Sequence, residues 1–201
     1  MPQQTGSYHH GDLRTACLRA ARDLLEEDGS AALSLRAVAR RAGVSATAPY
    51  RHFADRDALV SAVAAQGYRE LAGHLAAAHP APRAAEDLAA VAAAYVHFAI
   101  DRPALFRVMF AEPCDPSNAE RAAATTAMWE YVGGIVHAAF PGTDPEAMST
   151  GVWALVHGLA FLHLDGKLDA ADPAAVDDRV RAVVRTLVTT AGPGTGAESS
   201  R

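Results

Sequence analysis

Residues 33–59 read LSLRAVARRAGVSATAPYRHFADRDAL, and the punctuation of this stretch decides the fold. Ser34 stands where a side-chain oxygen can accept from the first unpaired N–H groups of a helix, and the spacing predicts that helix over Leu35 to Ala42. Val38, Ala39 and Ala42 share one apolar stripe of it. Gly43 falls where the chain must turn, and glycine adopts the left-handed conformation common at helix ends without steric cost. Ser45 reads as a second N-cap, with a short helix from Ala46 to about Phe53 behind it. Asp55 then caps a longer helix from Arg56 to about His79. Two short helices around a tight turn, the second presented outward, have the geometry that enters a DNA major groove.

Charge is concentrated in the same stretch. The whole chain is acidic, with 18 Lys+Arg against 23 Asp+Glu, which excludes a general polyanion binder. Residues 34–56 nevertheless hold five arginines (Arg36, Arg40, Arg41, Arg51, Arg56) against one acid, Asp55. Residues 61–201 hold ten basic and sixteen acidic side chains. A small basic patch on an acidic body suits a protein that touches DNA at one end. Taken alone the charge run equally suits a solvated helix face; the turn glycine and the serine caps tip the reading toward DNA.

Outward from this stretch the chain reads as all-α, with about nine helices. Half its residues are apolar, alanine, the best helix former, dominates, and no alternating β-branched runs support a sheet. Asp12 is expected to cap a first helix whose face is Leu13, Cys17, Ala20, Ala21, Leu24 and Leu25, ending near Asp28-Gly29. HPAPR at 79–83 breaks the helix that starts at Arg56. Further helices are expected over 84–101, from Pro103, over 118–139, over 145–164 and over 173–190. The last two carry the Asp-Pro start signal at Asp144-Pro145 and Asp172-Pro173. The organisation is a DNA-binding domain at 8–56, a linking helix at 57–79, a second domain at 84–191 and a disordered tail at 192–201. Cys17 and Cys114 lack any metal-ligand or Cys-x-x-Cys spacing and read as buried free thiols. The polar N-terminus carries no signal peptide, and no apolar run reaches the ~18 residues that span a bilayer, so a cytoplasmic protein is expected.

The run GVSATAPYRHFADRDAL, preceded by LSLRAVARRA, resembles the N-terminal domain of the tetracycline-repressor (TetR) family of transcriptional regulators. Its Tyr-x-His-Phe ending, with Arg56 three positions on, is the most specific part. YHHGDLRTACLRAARDLL resembles the first helix of one branch of that family. WALVHGLAFL, with Trp153, His157 and Gly158, resembles a Trp-x-x-x-His-Gly motif of the same branch, as does RPALFRVMFAEP at 102–113. The resemblance implies that Ser34 and Arg36 touch phosphates or a nearby base edge. It also implies that Tyr50 and His52 hold the DNA backbone, that Arg56 grips a phosphate, and that Phe53 and Val38 are structural. Ser45 and the groove-facing Ala46-Thr47-Ala48 complete the surface. The two alanines offer only methyls, so base reading is expected to rest on Thr47, Arg36 and Arg51, with DNA shape contributing the rest. Pro49 replaces a larger apolar residue and is expected to tighten the start of its helix. The arm Ser7-Tyr8-His9-His10 either reaches a minor groove or folds back on the first helix.

In the second domain Phe98, Met109, Phe110, Trp129, Trp153, His157 and Phe161 form a candidate pocket for an unidentified small apolar effector; the plainer alternative is that they are simply core. Trp153 and His157, four apart, share a helix face. The resemblance implies that the last two helices pair with those of a second copy, through Val152, Leu155, Val156 and Leu159, then Val176, Val180, Val183, Val184 and Leu187. A homodimer would read a near-palindromic operator. His97, His137, His157 and His163 lie on separate helices or without i, i+4 spacing, so no metal or other cofactor is expected. No nucleophile–base pair, carboxylate pair or phosphate loop suggests an enzyme. The readings left are a ligand-released repressor of double-stranded operator DNA, an activator, or a ligand-independent architectural protein.

Overall fold

The computed structural model describes residues 10–82, 84–112, 115 and 117–191, with the side chains at 10–12, 85, 86 and 187–191 excepted. The arm Ser7-Tyr8-His9, Cys114 and the tail at 192–201 lie outside the described residues.

The described residues form eight α-helices and two 3-10 turns. The helices are α1 (His10–Asp28), α2 (Leu35–Arg41), α3 (Arg56–Ala78), α4 (Ala85–Asp101), α5 (Pro103–Phe110), α6 (Ala119–Ala139), α7 (Pro145–Leu164) and α8 (Pro173–Ala191). The 3-10 turns are Ser30–Ala32 and Pro49–Arg51. The fold is all-α, as the composition implies.

Side-chain caps set most of the helix starts. Ser34 Oγ accepts the Ala37 N–H at 3.1 Å, and Asp55 Oδ1 accepts that of Ala58 at 2.8 Å. Asp144 Oδ1 accepts from Glu146 and Ala147 at 3.0 and 3.3 Å, and Asp172 Oδ1 from Ala174 at 3.0 Å. Each bond satisfies an N–H that has no partner within its helix. Gly43, at φ 68°, turns the chain out of α2, where a side chain would be strained. At the amino end, α1 begins at His10, so Asp12 lies inside the helix it was expected to cap.

The second helix of the motif departs most from expectation. Residues 46–48 form a turn, and only Pro49–Arg51 is helical, as 3-10. Its bonds run to the third residue back: Ala48 N–H to Ser45 O (3.0 Å), Arg51 N–H to Ala48 O (3.2 Å) and His52 N–H to Pro49 O (3.0 Å). Pro49 has no N–H to give Ser45 O the bond of a regular α-turn. Ser45 does not cap the segment with its hydroxyl, which faces Thr47 Oγ1 at 3.3 Å.

The chain divides by packing into two compact units, residues 1–70 with 102–127, and residues 71–101 with 128–201. This differs from the boundary expected near residue 84, because α5 joins the first unit. In that unit Leu18, Ala21 and Leu25 of α1, Val38 of α2, Phe53, Leu59 and Val63 of α3, and Leu105, Phe106 and Met109 of α5 are all buried. Gly67 makes room for α5: a Cβ there would lie 2.6 Å from Met109 Sδ and 2.8 Å from Met109 Cγ. Tyr68 donates its hydroxyl to Met109 O at 3.0 Å, and its ring meets Phe110 edge-on. That carbonyl belongs to the last turn of α5, where no helical N–H can reach it. Tyr68→Phe is therefore expected to cost about 1–3 kcal/mol, the penalty of an unsatisfied buried acceptor. Urea unfolding monitored by circular dichroism measures it, and a loss within error of zero would mean another donor takes the carbonyl.

In the second unit α4 packs against α7 and α8. Leu88, Ala92, Val96 and Ala99 of α4, Val156, Leu159 and Ala160 of α7, and Val176, Val180 and Val184 of α8 are buried. Among the described helices, α7 alone has the length and mean hydropathy (1.3) of a membrane span. The core helix of a protein with no membrane contact meets the same criterion, and Ser149, Thr150, His157 and His163 interrupt the apolar residues of α7. Its apolar residues are divided between a side buried on α4 and a side left exposed.

Candidate nucleic-acid interface and apolar cavity

The first unit gathers four of the expected DNA-contacting residues around one cleft. Ser34, Leu35, Arg36, Tyr50, Ala54, Asp55 and Arg56 line it, enclosing about 290 Å³. It lies at the amino ends of α2 and α3, where unpaired N–H groups and the helix dipole favour anions. Tyr50 is 51% exposed, an unusual position for a large ring with no role at the surface. Arg36, Arg40, Ser45, Ala46, Thr47 and Arg51 are also exposed. His52 is half-buried, its ring near Phe53, and its Nε2 has no hydrogen-bond partner among the described residues.

Two of the five arginines are engaged within the protein. Arg41 pairs with Glu27 through both nitrogens of its fork; Nη1 lies 2.9 Å from Oε1. The hydrogen bond from Arg41 holds the Glu27 carboxyl below its ordinary range, and Glu27 in turn raises the Arg41 pKa. Glu27→Gln removes that counter-charge. It is expected to raise DNA affinity a few-fold at low salt and to steepen the salt dependence by up to about one phosphate contact. Fluorescence anisotropy at several salt concentrations tests this, and an unchanged slope would place Arg41 away from the DNA.

Arg56 is the second. Its Nε donates to Leu33 O at 3.1 Å and its Nη2 to Ser30 O at 3.0 Å. Glu112, beyond the end of α5, approaches the same Nη2 at 3.6 Å and accepts the Ser30 hydroxyl at 2.7 Å. The guanidinium thus ties the 3-10 turn at Ser30–Ala32 to the start of α3, with Glu112 closing the cluster. Arg14 lies over the Phe53 ring, 5.7 Å from its centroid, and pairs with Glu120 at the start of α6. Sequence reasoning missed Glu112, Ser30, Arg14 and Glu120, because partners 82 and 106 positions apart leave no local signal.

The second unit holds a cavity of about 40 Å³ whose lining includes Leu75, Leu88, Tyr95, Val132, Trp153 and Val156. Trp153 stacks on Trp129 with ring centroids 4.5 Å apart and planes 16° from parallel. Tyr95 meets Trp153 edge-on, and its hydroxyl is 3.0 Å from His157 Nδ1. Phe161 packs on His157 at 4.8 Å. Burial lowers the His157 pKa, which favours the neutral form of the ring.

Of the expected pocket residues, Trp129, Trp153, His157 and Phe161 form this chain of rings. Phe98 is buried beside His74 rather than in the lining. Met109 and Phe110 are corrected: both belong to the first unit, where they pack on Gly67 and Tyr68. Their helical spacing marked them as buried but could not say in which core. Among the described residues no three metal-ligating side chains converge; His97 instead faces Asp177 at 3.6 Å.

The expected dimer residues differ in exposure. Val176 and Val180 are fully buried within their own unit, and Val156 and Leu159 nearly so. Val152, Leu155 and Val183 are partly exposed, and the Leu187 side chain lies outside the described residues. The exposed side of α7 comprises Gly151, Ala154, Gly158 and Leu162, with Leu162 43% exposed.

Described residues that are helical throughout, with such a turn-and-arginine surface on one unit and an apolar cavity in another, have the build of a DNA-binding transcriptional regulator. Residues 18–63 match the family described as "Bacterial regulatory proteins, tetR family", and residues 88–187 match "Tetracyclin repressor-like, C-terminal domain". The chain belongs to the tetR family of bacterial regulatory proteins. It is 36% identical to a protein of unknown function from Rhodococcus sp. RHA1, covering 94% of this chain and 98% of that one with a TM-score of 0.78. A tetR-family regulatory protein from Rhodococcus RHA1 shares the fold at a TM-score of 0.65 with 22% identity, covering 88% of this chain and 96% of that one. An HTH-type transcriptional regulator of Mycobacterium tuberculosis is 34% identical over 95 residues, 46% of this chain and 40% of the relative. The match thus spans less than half the length of that curated relative.

Proposed function

We propose that this protein is a homodimeric repressor of the branch marked by Trp153, His157 and Gly158, released from a near-palindromic operator by a small apolar ligand. The observation that carries the reading is the cleft between α2 and α3, where Ser34, Arg36 and Tyr50 face solvent beside the exposed Thr47 and Arg51. Tyr50 serves as a backbone contact that sets register; Thr47, Arg36 and Arg51 read base edges. Two such surfaces in a two-fold dimer would address half-sites about one helical turn, ~34 Å, apart. The apolar exposed side of α7 is the surface such a dimer covers. A ligand in the second unit can weaken DNA binding only by its differential affinity for the two states, typically about 1–3 kcal/mol.

Titration of the DNA upstream of the protein's own gene, at several salt concentrations and against a scrambled control, tests this reading. Specific, salt-steep binding by a dimer is expected. Equal binding to the scramble would remove the operator from the proposal. Within a confirmed operator, Thr47→Ala is expected to relax preference at one base pair per half-site by about 1 kcal/mol. Unchanged preference would shift base reading to DNA shape.

A further inference from the structure

We propose that His163 makes the carboxyl end of α7 an acid-responsive latch: the neutral ring stays buried in the second unit, and taking up a proton drives it out and frees the last helical turn. This holds whether or not the protein dimerises or takes a ligand, so it stands or falls apart from the function proposed above.

His163 is only 4% exposed, and neither Nδ1 nor Nε2 has a hydrogen-bond partner among the described residues. A neutral imidazole carries one donor and one acceptor. Burial leaves both unmet here, a cost that an apolar side chain in the same place would not incur. Packing alone therefore does not account for a histidine at this position. The residue stands in the last turn of α7, where the chain is held by a few terminal bonds. His163 O accepts the Gly166 N–H at 3.0 Å, and Leu162 O accepts those of Lys167 and Leu168 at 2.8 and 3.0 Å. A helix end of this kind opens at less cost than a helix interior.

The surroundings oppose a proton on the buried ring. Burial lowers the His163 pKa most, and Arg179 of α8 and His97 of α4 act in the same direction. The backbone at Leu168 and Asp169 acts the other way, but Arg179 Nη1 already donates to the Asp169 carbonyl at 3.2 Å. Asp177 of α8 is engaged elsewhere: Arg181 Nε donates to it at 2.6 Å, and His97 Nε2 lies 3.6 Å from it. Asp165, Lys167 and Asp169 in the turn after α7 are exposed. With its pKa in place held below the ordinary 6.5, His163 binds a proton more readily once released. Above pH 6.5 the latch keeps its full strength. As pH falls below 6.5, toward the lower value in place, each unit favours the released form by up to about tenfold.

Hydrogen–deuterium exchange of the full chain at pH 7.5 and 5.5, corrected for intrinsic exchange, reads the amides of Gly166, Lys167 and Leu168. Their protection is expected to fall several-fold at the lower pH, with about tenfold as the ceiling for one proton. The buried stretch of α1 from Cys17 to Leu25 is expected to keep its protection. His163→Phe fills the same space without a titrating group and is expected to hold the helix end equally at both pH values. His97→Asn is expected to keep the acid response. Equal protection of the unaltered chain at pH 7.5 and 5.5 would overturn the proposal. So would a response that survives His163→Phe, or one that vanishes in His97→Asn, which would move the sensor to the pair of His97 with Asp177. If His163→Phe does not fold, a nuclear magnetic resonance titration of the unaltered chain decides: the His163 ring is expected to titrate below 6.5, and a midpoint at or above that value overturns the latch.

Discussion

Leu162→Glu is expected to leave each chain folded and to cut operator affinity by about two to four orders of magnitude, the gain that linking two half-site contacts confers. Leu162 is one of the few large apolar side chains left exposed, at 43%, so a glutamate there meets water and costs the single chain little. Gly151, Ala154 and Gly158 extend the same exposed side of α7. No atom within 4 Å would meet a Cβ at either glycine. A two-fold pairing over this strip would bring the two copies of residue 162 into one interface, where paired carboxylates repel and lose hydration. Sedimentation equilibrium reads the assembly and anisotropy reads the DNA. A variant that stays dimeric and binds its operator unchanged would place the dimer face elsewhere.

Arg56→Ala separates two roles that the same side chain could fill. If Arg56 acts as a clamp, its loss strands Ser30 O, Leu33 O and the Glu112 carboxylate. Stability then falls by about 1–2 kcal/mol, toward the low end for charge-assisted bonds because the guanidinium is partly solvated. Operator affinity falls with it, since the 3-10 turn and the start of α3 lose their fixed relation. If Arg56 is only a phosphate contact, stability is unchanged and the salt slope drops by about one. The geometry predicts the first pattern. Lysine at this position is expected to rescue little, because a single ammonium cannot span two carbonyls as the planar fork does. Glu112→Gln, which keeps an oxygen for the Ser30 hydroxyl, should show a milder version of the same loss. A full-strength fold with a reduced salt slope in Arg56→Ala would restore the phosphate role implied by the family resemblance.

The residues that could be read correctly from sequence are those whose partners are local. Ser34, Asp55, Asp144 and Asp172 cap helices two or three residues away, and Gly43 turns the chain on its own φ. Each is a short-range contest that the residue type decides. Pro49 signalled a tight start, and the missing N–H carries that tightness through the whole segment, leaving 3-10 in place of an α-helix. Periodicity identified Met109, Phe110, Val176 and Val180 as apolar faces. It could not assign the surface each one meets, because a stripe fitted to a core and one fitted to a partner have the same composition. The clamp at Arg56 and the pairing of Arg41 with Glu27 were not legible, since they depend on where α1, α3 and the segment after α5 come together in space.

Each compact unit is assembled from two separate stretches of chain, residues 1–70 with 102–127 and residues 71–101 with 128–201. During translation this order imposes a delay. The first 70 residues leave the ribosome without Leu105, Phe106 and Met109, which complete their core. At about 5–20 residues per second, several seconds pass before those side chains emerge. A nascent chain therefore cannot finish its DNA-reading unit early and settle on the chromosome while the remainder is still being made. Splitting the gene at residue 70 would yield a fragment with Gly67 and Tyr68 facing water in place of α5, prone to aggregate rather than to act as a small free-standing DNA binder.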